Sequence, residues 1–174
     1  MVGIVVGSDS DLPVIRGTVE ALELFEIPYE LEIASAHRVP DRVHEYARTA
    51  VERGLKVIIA AAGGAAHLPG VIAALSPLPV IGVPVASGTL GGLDALLSIA
   101  QMPKGVPVAT VAVNGAFNAG ILAAQIIGAG DPAVRDKISA YKGALGREVA
   151  AKAERLKAVG VDEYLKANGL LNPG

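Results

Sequence analysis

A fivefold alternation of strand-like and helix-like segments limits what this chain can fold into more than any other feature. Val2-Gly3-Ile4-Val5-Val6 is a continuous apolar run, the pattern of a strand covered on both faces. Gly7-Ser8-Asp9-Ser10-Asp11 follows, and Leu12-Pro13 opens a helix in which Ile15, Val19, Leu22 and Phe25 recur every three to four residues. Asp11 occupies the N-cap position of that helix, with Pro13 in its first turn. Tyr29 to Ala34 reads as the second strand. A helix follows from Val39-Pro40-Asp41-Arg42, with Val43, Tyr46, Ala47, Ala50 and Val51 as its buried stripe, His44 on a solvated flank and Gly54 at its end. The third, fourth and fifth strands are expected at 56–60, 80–83 and 106–113, each followed by a helix, at 71–75, 93–99 and 116–127. Strand and helix alternating through short connections give a three-layer α/β/α domain around a central parallel sheet, with right-handed crossovers.

The tail differs in character. Asp131-Pro132 begins a long charged helix with Val134, Ile138, Tyr141, Leu145 and Val149 at helical spacing, a stripe suited to packing along another subunit or back across the domain. Gly160 breaks that helix, a short helical turn follows, and Asn172-Pro173-Gly174 is expected to fray. The chain therefore reads as one domain, an α/β core over about 1–130 with a helical extension over about 131–170.

Composition narrows the chemistry. Trp is absent and aromatics make up 3% of the chain, so the core must be built from Ala, Val, Ile and Leu. There is no cysteine, which excludes disulfides, thiolate metal sites and cysteine nucleophiles. The three histidines show no metal-ligand spacing. A formal net charge of −2 supplies no global field for nucleic acid, so an anionic ligand would have to be held by local groups. Residues 57–93 and 105–130 carry no formal charge, but Pro69, Pro77, Pro79 and Pro84 punctuate the first interval, and Asn114, Gly115 and Asn118 interrupt the second. With no basic flank before the first strand, and Asp9 and Asp11 soon after it, no secretory signal is expected. These patterns predict a cytoplasmic protein with a buried sheet and no membrane span.

Chemistry-bearing residues gather after the strands. In an open α/β sheet the carboxyl ends of the strands are where ligands bind. After the first strand stand Ser8, Ser10 and Asp11; hydroxyls and backbone N–H groups at a helix opening suit a phosphate, and a carboxylate suits sugar hydroxyls. After the second stand Ser35, Ala36, His37 and Arg38, bringing a hydroxyl, an imidazole and a guanidinium together. After the third, Gly63-Gly64 permits close backbone approach to a ligand, and His67 follows. Taken singly, each also serves as a cap, a loop histidine or a surface cation. Two histidines and three polar clusters at equivalent strand ends are together better suited to one pocket.

The segments G-S-D-S-D (7–11), S-A-H-R-V-P-D-R (35–42), A-G-G-A-A-H-L-P-G (62–70), P-L-P-V-I-G-V-P-V (77–85) and L-D-A-L-L-S-I-A-Q-M-P (93–103), with N-G-A-F-N-A-G (114–120) as a looser match, closely resemble the PurE family of 5-(carboxyamino)imidazole ribonucleotide mutases. The resemblance covers roughly residues 2–128. It implies a flavodoxin-like core, a homo-octamer with active sites near subunit contacts, and an isomerisation in purine biosynthesis that moves a carboxylate from the exocyclic nitrogen to ring carbon 4 of a small ribonucleotide. No metal, ATP or organic cofactor is implied. By the same resemblance Ser8 and Arg38 serve the phosphate and Asp11 the ribose, while Ser10, Ser35 and Ala36 add contacts. His37 is the catalytic imidazole, His67 the second pocket histidine, and Gly63, Gly64 and Ala65 the loop over the imidazole and carboxylate. A transient contact with the upstream synthase that makes the labile carbamate is compatible with this reading. Two departures stand out: Ala61 where many relatives have glycine, and a shorter, less glycine-rich 114–120 segment.

The nearest rival is a direct carboxylase on the same scaffold, taking aminoimidazole ribonucleotide and free carbon dioxide to the same product; the absence of a fused partner domain in this chain favours the mutase. A noncatalytic flavin- or nucleotide-binding module of flavodoxin-like fold lacks support, because no aromatic lies in the three loops to stack on a flavin. A purely structural oligomeric protein would leave the three polar clusters unexplained.

Overall fold

The protein's structure, a computed structural model, describes residues 1–171; the expected fraying at Asn172-Pro173-Gly174 lies outside the described residues. Two compact units divide the chain, residues 1–135 and 136–174. The first carries five strands, β1 (Val2–Val6), β2 (Tyr29–Ile33), β3 (Val57–Gly63), β4 (Val80–Val85) and β5 (Ala109–Thr110). All pair in parallel, in the order β2-β1-β3-β4-β5. That order is the flavodoxin-like one, and its direction of winding reverses between β1 and β3.

Burial follows from side-chain type. Every residue of β1 and β4, and all of β3 except Gly63, is buried, as the apolar runs require of strands sandwiched between helices. Edge strand β2 alternates instead, keeping Leu31 and Ile33 exposed on one face and turning Glu30 and Glu32 toward α2 (Pro40–Thr49). There Arg53 pairs with Glu30 at 3.0 Å and lies 4.5 Å over the Tyr46 ring, and Arg42 pairs with Glu32. Helices α2, α3 (Leu68–Leu75) and α4 (Leu93–Ala100) cover one face of the sheet through Val43, Ala47, Leu68, Ile72, Ala95 and Ile99. Each fully buried branched aliphatic contributes about 1.5–3 kcal/mol.

The other face is covered by α1 (Leu12–Leu24) and α5 (Ala116–Gly128). Small residues let these two helices meet nearly backbone to backbone: a Cβ added to Gly120 would lie 2.6 Å from Ala21 Cβ and 2.9 Å from the Thr18 carbonyl oxygen. The Thr18 hydroxyl, fully buried, donates to the Ala116 carbonyl at 2.8 Å and ties the two helices together.

Several boundaries differ from those expected. β3 runs on through Ala61, Ala62 and Gly63, because these small residues pair with β1 and β4 rather than forming a turn. Ala61 pairs with both Val6 and Val83 and is fully buried, so its methyl group is accommodated inside the sheet. β5 shrinks to two paired residues; Pro107 has no N–H to offer a ladder, and only Ala109 and Thr110 find register with β4. α2 ends at Thr49, ahead of Gly54, which leaves Val51 half-exposed in the turn instead of on the buried stripe. His44 is exposed, as expected.

Helix α6 (Pro132–Val159) opens with the Asp131 carboxylate accepting from the Ala133 and Val134 N–H groups at 3.0 and 3.3 Å. In the second unit it is laced by Glu148–Lys152 and Glu154–Lys157 pairs, while Leu145 and Val149 are exposed. Gly160, at φ +78°, ends it before α7 (Val161–Ala167). Among the described residues no helix is long and apolar enough to cross a membrane.

Candidate active site

The carboxyl ends of β1, β2, β3 and β4 surround a cleft of about 390 Å³ at the point where the sheet's winding reverses. Register explains why the loops converge. Val6 pairs with Ile33 on one side and Ala61 on the other, so the loops that follow leave the sheet at similar heights. Gly7 N–H donates to the Ala61 carbonyl at 3.1 Å and Ala34 N–H to the Val6 carbonyl at 2.9 Å, extending the ladders to the rim of the cleft.

Nine of the eleven side chains expected in the site line this cleft: Ser8, Ser10, Asp11, Ser35, Ala36, His37, Arg38, Gly63 and His67. Gly64 and Ala65 lie in the connecting turn, outside the lining, and Ala62, Ala66, Leu68 and Ser87 take part in its walls. Ala66, buried and at φ +46°, holds a backbone conformation that costs an alanine about 1 kcal/mol, just before the chain presents His67. Its N–H donates to the Gly63 carbonyl at 3.2 Å, closing the turn.

The two histidines meet. His37 Nε2 lies 2.7 Å from His67 Nδ1, with ring centroids 4.8 Å apart and planes at 80°. At that distance one nitrogen donates and the other accepts, so a single proton lies between the rings and each ring's tautomer fixes the other's. Both side chains are exposed to the cleft. Arg38 reaches back across the site, its Nη2 donating to the Gly7 carbonyl at 3.2 Å, and its N–H lies 3.4 Å from Ser35 Oγ. This places a fixed cation beside the first loop. A second cleft of about 460 Å³ adjoins along Gly7, Ser8, Ser35 and Arg38, so Arg38 faces both.

The first loop is a 3-10 turn over Asp9–Asp11, and its cap is Ser8, not Asp11. Ser8 Oγ accepts from Ser10 N–H at 3.3 Å and donates to Asp9 Oδ1 at 3.0 Å. Asp11 precedes α1 without capping it; its side chain makes no hydrogen bond to the helix N-terminus. Only 7% exposed, its carboxyl is pushed up from the ordinary range, chiefly by burial and further by Asp9, against the pull of hydrogen bonds from the Ser8 and Ser10 side. A carboxylate kept under such desolvation is well placed to accept from ligand hydroxyls. Gly63 is required by close approach: a Cβ there would sit 2.5 Å from Ser87 Oγ and 3.2 Å from the Val85 carbonyl oxygen. Among the described residues no three His, Asp or Glu side chains converge as a metal-ligand set.

The cleft thus has a cationic and hydroxyl-bearing end at Ser8 and Arg38, a buried acid at Asp11, and an imidazole pair beside a small-residue wall. It can hold a phosphorylated, hydroxyl-bearing ligand and move a proton at its far end. Residues 1–148 match the family described as AIR carboxylase. The chain is 61% identical over 164 residues to the N5-carboxyaminoimidazole ribonucleotide mutase of Thermotoga maritima, covering 94% of this chain and 96% of that one. It is 53% identical over 167 residues to a phosphoribosylaminoimidazole carboxylase of Candida glabrata, but covers only 29% of that protein. The crystal structure of Treponema denticola PurE superposes with a TM-score of 0.81 at 28% identity, over 90% of this chain and 98% of that one.

Proposed function

The chain belongs to the AIR carboxylase family, and we infer that it is an isomerase of purine biosynthesis, an N5-carboxyaminoimidazole ribonucleotide mutase. Identity of 61% to a protein named as a mutase, against 53% to one named as a carboxylase, favours the mutase over direct carboxylation. For the division of labour within the site, the observation that carries the reading is the hydrogen-bonded pair His37–His67 inside a cleft that also holds Ser8, Asp11 and Arg38.

The reaction is balanced internally. The bond between the exocyclic nitrogen and the carboxyl carbon breaks, its electron pair stays on nitrogen, and nitrogen takes one proton, giving aminoimidazole ribonucleotide and carbon dioxide. Ring carbon 4 then attacks the carbon dioxide, forming a carbon–carbon bond at a tetrahedral centre, and loses its own proton to restore the aromatic ring. One proton is delivered and one recovered. No net oxidation or hydrolysis occurs, so the chemistry calls for no redox group and no ATP.

His37 is the proton carrier in this reading, since an imidazole donates and accepts near neutral pH. His67, the second pocket histidine, helps to orient the carboxylate in this reading and fixes the ring and tautomer of His37 through the 2.7 Å bond. Arg38 and Ser8 hold the phosphate and Asp11 the ribose, while Ser10, Ser35 and Ala36 complete the wall. The Ala62–Gly63 rim and Ala66 confine carbon dioxide beside its acceptor, so that recombination is effectively intramolecular. The homo-octamer, the cytoplasmic setting and the transient contact with the synthase belong to the same reading; exposed Leu145 and Val149 on α6 suit a subunit contact.

The test is to supply the carbamate substrate to the purified protein with bicarbonate and ATP excluded, and to follow the carbon-4 carboxylated product. Conversion by the wild type and its loss in His37→Asn, with product nucleotide still bound, are expected. Turnover only from aminoimidazole ribonucleotide and bicarbonate would transfer the assignment to the direct carboxylase. Full activity in His37→Asn would remove that residue from proton transfer.

A further inference from the structure

One hydrogen-bonding side chain in the cleft is used neither by the sequence reading nor by the mechanism above. Ser87 comes from the loop after β4, and sheet order puts β4 on the far side of β3 from β1. Parallel strands lie about 4.8 Å apart, so Ser87 stands roughly two strand spacings from the Ser8 loop. A nucleotide whose phosphate lies at Ser8 and Arg38 therefore points its base, and the carboxyl group in transit, toward the Gly63–Ser87 wall. The Ser87 hydroxyl lies directly over Gly63, filling the space a side chain there would occupy.

The peptide before Ser87 is clamped. Ala86 N–H donates to Asn114 Oδ1 at 2.9 Å, and Asn114 N–H donates to the Pro84 carbonyl at 2.8 Å. Asn114 thus grips the chain on both sides of the end of β4, and it does so at φ +57°, a left-handed conformation that asparagine tolerates better than most residues. This gives a role to a residue of the 114–120 segment, which the mechanism leaves unused.

We propose that Ser87 is a further substrate-binding residue, donating its hydroxyl to the migrating carboxyl group, and that Asn114 is a positioning residue that aims Ser87 through the Ala86 N–H. The proposal rests on the mutase reading. Its specific consequence is retention: without the Ser87 hydroxyl, carbon dioxide is held less well between its two bonds, and more turnovers end in escaped aminoimidazole ribonucleotide.

The experiment measures product and released aminoimidazole ribonucleotide per carbamate consumed, with kcat and KM, for the wild type, Ser87→Ala, Asn114→Gly and Asn114→Asp. Ser87→Ala should lower kcat/KM about tenfold, the worth of one hydrogen bond, and raise the escaped fraction severalfold. Asn114→Gly, which keeps the backbone conformation and removes the acceptor, should move the escaped fraction the same way. Asn114→Asp, which keeps an acceptor oxygen, should restore it toward wild type. An escaped fraction and kcat/KM unchanged in Ser87→Ala overturn the proposal. So does an Asn114→Gly variant that loses thermal stability but not retention, as far as positioning is concerned. A wild type that does not convert the carbamate overturns the mutase reading itself, a result visible in the same assay before any variant is compared.

Discussion

His37 Nε2 and His67 Nδ1 are hydrogen-bonded at 2.7 Å although the residues stand on loops after two different strands, β2 and β3. In the proposed mechanism this contact makes the two rings one proton-handling unit, with consequences for both. His37→Asn should lower kcat by about 10²–10⁴-fold, the usual contribution of a positioned acid–base group, with nucleotide affinity nearly unchanged. His67→Asn should lower kcat about 10–100-fold with little change in KM, because it frees the His37 ring without removing it. Steady-state kinetics with product-binding titrations separate the two; a His67→Asn enzyme with wild-type kcat would dissolve the unit.

Asp11 carries a stability cost that its proposed ribose-binding role would explain. Its carboxyl holds a proton more tightly folded than unfolded, where the ordinary value of 3.8 applies, mainly because it is buried. The folded state is therefore penalised for ionising it; the penalty is absent below that value, grows as pH rises through the raised folded value, and is complete near neutrality. Asp11→Asn should raise the melting temperature at pH 7, lose that advantage as pH falls toward 3, and weaken nucleotide binding at pH 7. Thermal melts of both proteins across this range decide it; a variant less stable than wild type at pH 7 would contradict the assignment.

The α1–α5 contact should tolerate almost no added volume. Gly120→Ala places a methyl group against Ala21 and the Thr18 carbonyl and should destabilise the fold by about 1–3 kcal/mol. Thr18→Val keeps the shape but removes the hydroxyl that donates to Ala116, at a cost of about 1–2 kcal/mol. Urea titrations measure both, and unchanged midpoints would mean the helices can separate freely.

Tyr46 should behave in the opposite way. Its hydroxyl is buried and makes no well-formed hydrogen bond although Glu30 and Arg53 lie beside it, it packs where Gly3 leaves room, and its ionisation is pushed up by burial and by Glu30. Tyr46→Phe removes that polar atom while keeping the ring beneath Arg53, so stability should be unchanged or higher by up to about 1 kcal/mol. A loss above about 1 kcal/mol in a urea titration would reveal a partner for the hydroxyl.

The layer architecture was legible because buried parallel strands demand unbroken apolar runs, and β1 and β4 have them. Three site loops were legible because their polar residues follow such runs directly. The third strand's true length was not: Ala61, Ala62 and Gly63 resemble a turn in composition, and only pairing with both neighbours makes them strand. The fifth strand misled in the other direction, since valine-rich sequence cannot supply the missing N–H of Pro107 or a second neighbour at the sheet edge. Ser87 carried no local signal; a serine between alanine and glycine looks like any loop residue until β4 is placed beside β3. Nor does sequence tell Asn114, which shapes a backbone, from Asn118 two residues into the next helix.

Between β2 and β3 lies β1, so the histidine pair spans the tip of a strand that contributes to neither ring. A strand advances about 3.3 Å per residue, more than the whole length of the hydrogen bond. A slip of one residue in either pairing with β1 would pull the rings out of reach and turn the neighbouring side chains to the wrong face. With the imidazole pair as the proposed proton carrier, the bridge is an inspection mark on assembly: a chain whose three leading strands had zipped out of step would be catalytically silent, and activity would count only molecules aligned correctly.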